Sequence, residues 1–323
     1  MFKQLLKDRS FRLSIILTLI FFSTGIVFLL AGLADLSLIL FGLLPVVLGL
    51  SIGALPNRRL AYIGAIITTI FFLYGLLTLG LSGFVCIVMA LPLVIPLIFI
   101  GAVITHLINR YKSIKEDKLP VLVLPLLLFL IAAPADKFLN PESKQIIEVK
   151  TEQVFNYTPE QVYDAIKAVD TLDAEKPFLM KFDLPVPYKC ILEKEEVGGL
   201  RTCYFKQGNF SHGDFGGGTI TERITQMERG RILKMDVIGC NIIGRKWLGF
   251  KEAVYLFDKV EGGCKLTRIT TYTSVLTPRK YWEPLERIGI SQEHEYVFNN
   301  LKADLERKYG KAIPISTKMK QAP

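Results

Sequence analysis

The sequence predicts two folds in series. Residues 1–135 read as an all-α membrane anchor of about five spans. Residues 144–310 read as an α+β domain in which a curved antiparallel sheet wraps a long C-terminal helix. Residues 136–143 form a linker, and residues 311–323 a basic tail. Charge is the first observation behind this division: residues 1–135 hold 10 of the 39 Lys and Arg and only 4 of the 30 Asp and Glu. The second is a series of apolar runs long enough to cross a hydrocarbon layer. The third is the pattern after residue 143, where period-two alternation is broken by Gly-rich turns and then gives way to a helical stripe.

Five apolar runs fall at Phe11–Leu33, Leu36–Leu55, Leu60–Leu79, Gly83–Ile108 and Leu119–Ala135. Each is expected to be helical, because only a helix satisfies its own backbone groups in lipid. The fifth is the shortest and carries Pro120, Pro125 and Pro134. The first has a basic start like a signal peptide, but its apolar core is too long and no small-x-small cleavage site follows, so a retained span is expected. Lys3, Lys7, Arg9 and Arg12 precede the first run, Arg58 and Arg59 follow the second, and Arg110, Lys112, Lys115 and Lys118 follow the fourth. The turns at Ala34–Asp35 and Gly80–Ser82 carry neither Lys nor Arg. Basic residues stay on the cytoplasmic side of short loops. The N-terminus is therefore expected inside and, with five spans, the C-terminal domain outside. If the fifth run lies only in the interface, the domain falls inside.

No Asp, Glu, Lys or Arg lies deep in these runs, which argues against an ion-coupled transporter. Ser51, Thr68 and Thr69 read as interhelical hydrogen-bonding residues, Pro45, Pro92 and Pro96 as kinks, and His106 as interfacial. The expectation is a compact helical anchor.

In the second half, Lys144–Phe155 alternates as a strand. Thr158 then caps a helix with Pro159 at its first position and Gln161 completing a capping box; Val162, Ile166 and Val169 form its buried face. A short helix is expected near Leu172–Lys181. Three hairpins follow: Tyr188–Glu195 with Leu200–Lys206, Thr219–Met227 with Arg231–Ile238, and Glu252–Lys259 with Cys264–Ser274. Their turns hold Gly198-Gly199, Gly230 and Gly262-Gly263. A helix over Pro278–Tyr309 closes the domain, with Trp282, Leu285, His294, Val297, Phe298, Leu301 and Leu305 as its stripe and Gly289 as a bend. It is the one element able to cover the concave face of the sheet, and cavities between such layers are default ligand sites.

These residues resemble the START-like superfamily, also called SRPBCC, which includes polyketide cyclases and lipid-transfer domains. Val154–Ile166 is similar to that family's first strand running into its first helix. Ile220-Thr221-Glu222-Arg223-Ile224 followed by Gly230–Leu233 is similar to its central hairpin, and Gly262–Arg268 through Tyr272 to its last. The resemblance covers about residues 145–310 and none of the membrane half. It implies a helix-grip fold with a hydrophobic cavity, in a family divided between binders, carriers and enzymes, so it does not fix a function.

Strand parity selects the residues that face such a cavity. Leu266, Arg268, Thr270 and Tyr272 share one face, as do Ile220, Glu222 and Ile224, and as do Leu233, Met235 and Val237. On Leu200–Lys206, Thr202, Tyr204 and Lys206 oppose Cys203 and Phe205. Glu222, Arg268, Tyr272 and His294 are the expected convergent polar groups, joined by Tyr204 and Trp282 as ligand-contacting aromatics. The structural alternatives are a cross-strand Glu222–Arg268 ion pair on the solvent face and a core His294. No catalytic residue is assigned, because no paired acid–base constellation is visible.

Other motifs carry less. Ser211-His212-Asp214 are near neighbours on one loop, whereas a triad needs its base held between its partners by the fold. Gly216-Gly217-Gly218 lacks the Lys and the helix of a phosphate loop. Glu293-His294-Glu295 lacks a second His at ligand spacing. No metal or other cofactor is therefore expected. Cys190 and Cys203 face each other across a hairpin, where a disulfide is allowed if the domain lies outside. No four-Cys framework is present, so free thiols are favoured. The net charge of +9 does not point to nucleic acid, since the membrane half supplies +6 of it through its cytoplasmic loops. The partners expected are the bilayer and a lipid or other hydrophobic small molecule; no protein partner is assigned. Two other classes compete: a polyketide-cyclase-like enzyme acting through Glu222 or His294, and a sensory or assembly module with a vestigial cavity.

Overall fold

The computed structural model describes residues 7–79, 82–111, 119–139, 145–210, 217–243 and 247–311. The loop at Lys112–Lys118, the Ser211-His212-Asp214 sequence and the tail beyond Lys311 lie outside them. The chain divides into two compact units, residues 1–145 with 275–284 and residues 146–274 with 285–323.

The first unit contains α1 (Arg9–Leu30), a π-helical turn at Ile39–Leu43 running into α2 (Leu44–Gly53), α3 (Arg58–Thr78), α4 (Phe84–Tyr111) and α5 (Leu119–Leu139). Asp8 caps α1 through the Phe11 N–H, and Asn57 caps α3 through the Leu60 N–H. Among the described residues, three helices, Arg9–Leu30, Arg58–Thr78 and Phe84–Arg110, are long and apolar enough to cross a membrane. Of the five spans expected, these three are supported. The second run holds its helix only over Ile39–Gly53, about 22 Å at 1.5 Å per residue, because turns occupy its first residues and Pro56 follows its end. The fifth run is helical over Leu119–Leu139, 21 residues.

The helices of this unit pack through small residues. A Cβ on Gly49 would fall 2.1 Å from the Ile98 carbonyl oxygen, and one on Gly101 equally close to that of Val46, so α2 and α4 cross backbone to backbone. The Ser51, Thr68 and Thr69 hydroxyls each donate to a carbonyl four residues earlier in their own helix. For Thr68 and Thr69 these intrahelical bonds stand where interhelical ones were expected. Thr105 Oγ1 donates to Leu50 O at 2.8 Å and supplies one bond between helices. Val275–Pro284 belongs to this unit as well. The Thr277 N–H donates to Leu36 O, Thr277 Oγ1 accepts from the Leu38 N–H, and Trp282 packs its ring 5.0 Å from that of Phe41.

The second unit is a curled seven-stranded antiparallel sheet. Its strands are β1 (Gln145–Phe155), β2 (Val186–Leu192), β3 (Leu200–Lys206), β4 (Gly218–Glu228), β5 (Ile232–Cys240), β6 (Leu248–Val260) and β7 (Gly263–Ser274), in the order β1-β7-β6-β5-β4-β3-β2. Two short helices, α6 (Pro159–Ile166) and α7 (Phe178–Phe182), connect β1 to β2, and α8 (Arg279–Tyr309) closes the chain. The capping box of Thr158 and Gln161 forms as expected. Gly198, Gly230 and Gly262 take positive φ in the three hairpin turns, a conformation that costs other residues a Cβ clash. The expected short helix sits later than its sequence pattern, since Pro177 starts it.

Phe155, Val162, Tyr163 and Ile166 meet Leu233, Met235, Phe257, Leu266, Phe298, Leu301 and Leu305 in one buried cluster. From Leu285 onward, one buried row of α8 runs through Glu286, Ile290, His294, Val297, Leu301 and Leu305, with Tyr296, Phe298 and Asn300 buried beside it. These intervals of three or four residues put one face of the helix on the sheet.

Candidate functional site

Between sheet and α8 lies a cavity of about 80 Å³. Its wall is mainly apolar, with Val169, Leu172, Phe205, Ile220, Ile290 and Val297 among the lining residues. Five charged side chains interrupt that wall: Arg201, Glu222, Glu252, Arg268 and Glu293; Glu252 is paired with Lys234 at 2.6 Å. A larger hollow of about 490 Å³ over Asp173, Glu306 and Arg307 is open to solvent and lined by exposed charges, so it lacks the enclosure a selective site needs.

Register places these charges. Arg201 on β3 faces Glu222 on β4 directly, and Arg201 Nη1 lies 3.3 Å from Glu222 Oε2. That contact is a charge pairing without hydrogen-bond geometry, for Oε2 has no hydrogen-bond donor. The Arg201 Nη1 also donates weakly to Met235 Sδ at 3.7 Å. Arg268 on β7 pairs with Glu293 on α8 at 2.9 Å. The two guanidinium carbons lie 5.7 and 5.5 Å from the Tyr255 ring centroid, so one aromatic on β6 receives two cation–π contacts. Arg201, Glu222 and Arg268 are each more than nine-tenths buried. Even so, Arg201 Nε, Arg268 Nε and Arg268 Nη1 have no acceptor among the described residues.

The electrostatics follow from burial. Loss of solvent pushes the Glu222 carboxyl above the usual range, and the charges of Arg201 and Arg268 only partly offset this. For the two arginines, burial works against the charge. Glu222 and Tyr255 at Arg201, and Glu293 and Tyr255 at Arg268, outweigh it, and both stay cationic. Burial lifts the Cys264 thiol to about 12, which leaves it without thiolate reactivity.

Of the six residues expected to contact ligand, Glu222 and Arg268 line the cavity; the other four do not. His294 is fully buried between two strands, with Nδ1 2.7 Å from Thr151 Oγ1 on β1 and Nε2 2.7 Å from Thr270 Oγ1 on β7. Burial, and then the Arg268 charge, hold its pKa well below the usual value. It is a neutral clamp between helix and sheet. Tyr272 directs its hydroxyl to Glu286, which also accepts from Ser274 Oγ. Tyr204 lies on the other face of β3 and packs its ring 6.2 Å from that of Tyr188. Trp282 belongs to the first unit.

Arg201 is one of the cavity residues that sequence reasoning missed. Tyr204 and Arg201 lie on opposite faces of β3, and a choice between the faces was needed. The signal was Cys203 and Phe205, which share the Arg201 face and line the cavity with it. Glu293 was missed because only its spacing to other metal-ligand types was considered. The expectation of free thiols is also corrected: Cys190 and Cys203, paired in register, form a disulfide in the cavity wall.

The segment after α6, whose Leu172 N–H donates to Tyr188 O on β2, is also tied to α8. Tyr296 donates to Leu172 O, Asn300 Oδ1 accepts from the Asp173 and Ala174 N–H groups, and Gln292 Oε1 accepts from the Leu179 N–H.

No protein-family model matches the chain, and no curated protein resembles it significantly. Similar solved structures do exist. A Chromobacterium violaceum protein is 16% identical, with 48% of this chain aligned to 96% of that one at a TM-score of 0.31. An AHSA1-like protein from Aeromonas hydrophila is 13% identical over 52% of this chain and 97% of its own, at 0.31. The di-domain ARO/CYC StfQ from the steffimycin biosynthetic pathway is 14% identical over 61% of this chain and 63% of its own, at 0.37; this chain therefore spans less than two-thirds of StfQ. At such identities and scores these remain likenesses, and the fold is assigned on its own topology: a curled antiparallel sheet gripped around a C-terminal helix.

Proposed function

We propose that this protein is a membrane-anchored module whose helix-grip domain binds a lipid or other hydrophobic small molecule between sheet and helix. The observation that carries the reading is the enclosed, mainly apolar cavity with a few polar groups at one place in its wall, the usual composition of a small-molecule site. Ligand pockets commonly measure about 300–1,000 Å³. At about 80 Å³ the cavity holds a headgroup or a chain end, and a whole lipid enters only when α8 or the segment tied to it moves away from the sheet.

An extracytoplasmic domain is the second part of the reading. It is supported by the Cys190–Cys203 disulfide, since such bonds persist outside the reducing cytosol. The enzyme reading would rest on Glu222 alone, because both His294 nitrogens are engaged.

The test is native mass spectrometry of the full protein, extracted gently from its own membrane, with the bound small molecules identified. One lipid class or one apolar compound at stoichiometric occupancy is expected. A folded protein that carries no such compound, even after incubation with total lipid extract, would overturn the reading and favour turnover or partner assays.

A further inference from the structure

We propose that the cavity recognises a carboxylate, held by Arg268 with Arg201 beside it, so that the ligand is an organic acid rather than a neutral apolar molecule. The inference deepens the ligand-binding reading above and rests on it. Its basis is an unequal count of donors and acceptors. Arg268 lines the cavity and spends one nitrogen, Nη2, on Glu293. Its Nε and Nη1 N–H groups have no acceptor among the described residues, and neither has the Arg201 Nε. Leaving a buried donor unpaired costs about 1–3 kcal/mol, more for a charged group. Three such nitrogens in one wall are therefore a standing demand for an acceptor.

The free Nε and Nη1 lie on different edges of the Arg268 guanidinium, each edge shared with the Nη2 held by Glu293, so each can donate one bond to a ligand oxygen, and such bonds are strongest when the acceptor is ionised. Volume sets a limit as well. About 80 Å³ admits a carboxylate with few further atoms while the domain is closed, so any chain must extend from that point toward the apolar residues Ile290 and Val297.

Two sources share this chemistry, a free short-chain acid and a fatty-acid-like amphiphile. Octanoate, octanol and acetate separate them. Each is titrated calorimetrically against the full chain in nanodiscs of zwitterionic lipid, with empty nanodiscs as the blank. Octanoate is expected to bind one to one, at least tenfold more tightly than octanol. Acetate equal to octanoate supports the carboxylate site and assigns a short free acid; weaker acetate supports it and assigns an amphiphile. Octanol as tight as octanoate overturns the carboxylate inference and leaves the broader reading intact. Absence of binding by all three overturns both. Arg268→Gln is expected to lose at least tenfold for octanoate and nothing for octanol. Should that variant fail to fold, Glu222→Gln serves instead: retained or tighter octanoate binding agrees with the inference, and a tenfold loss contradicts it.

Discussion

His294→Leu separates a structural role from a ligand-binding one. The substitution keeps an apolar side chain of similar bulk and removes both hydrogen bonds, to Thr151 and to Thr270. Thr270 is buried, so its stranded hydroxyl costs about 1–3 kcal/mol. Thr151 is half-buried and regains water at a cost of about 1 kcal/mol. The domain is expected to lose about 2–4 kcal/mol. At about 1.4 kcal/mol per factor of ten, slow amides in β1, β7 and α8 should exchange roughly 30- to 900-fold faster. Hydrogen exchange of the full chain, read peptide by peptide, measures this without unfolding the first unit. A second signature is pH. Burial depresses the folded-state pKa of His294, so the unfolded chain takes up the proton first. Stability is full above the unfolded value of about 6.5 and falls as pH drops toward the folded value, at a slope approaching 1.4 kcal/mol per unit. The variant should lack that component. Unchanged protection at pH 7.5 together with an unchanged slope below pH 6.5 would refute the clamp.

Arg201→Met is expected to cost about 3–5 kcal/mol by stranding Glu222, and adding Glu222→Leu to regain most of it, checked by the exchange of β3 and β4 peptides; no recovery in the double variant would contradict the paired-charge account. Replacing Cys190 and Cys203 together by Ser opens a link spanning 13 residues and should lower stability by about 2–4 kcal/mol, read as faster exchange in β2 and β3; the same peptides unchanged would show that the bond carries no stability. Gly101→Val drives a side chain into the Val46 carbonyl and should lower the melting temperature of the detergent-extracted protein by several degrees, and an unaltered melt would mean that α2 and α4 cross with room to spare.

Much of the second unit was legible because its signals are local. Alternation fixes strand faces, and Gly198, Gly230 and Gly262 mark turns whose φ only glycine adopts at low cost. The Thr158 capping box was readable for the same reason. What escaped depends on the third dimension. Glu222 and Arg268 were found by parity alone, yet their direct partners, Arg201 and Glu293, come from β3 and α8, distant in sequence from them. His294 was rightly aimed at the sheet; only the register of β1 and β7 shows that two threonines take both of its nitrogens before a ligand can. In the first unit, hydropathy located every apolar run but not where each helix stops, because turn geometry and proline, rather than apolarity, end α2.

The disulfide has a mechanical consequence. Cys190 and Cys203 sit in the cavity wall on the two strands at one margin of the sheet, so β2 and β3 cannot peel apart there while the bond is closed. The sheet is the fixed jaw of the grip. Widening at this margin must come from α8, which Tyr296, Asn300 and Gln292 fasten to Leu172–Leu179, a segment itself bonded to β2 through the Leu172 N–H and Tyr188 O. Those three latches, made of hydrogen bonds rather than covalent bonds, are where the domain has freedom to open.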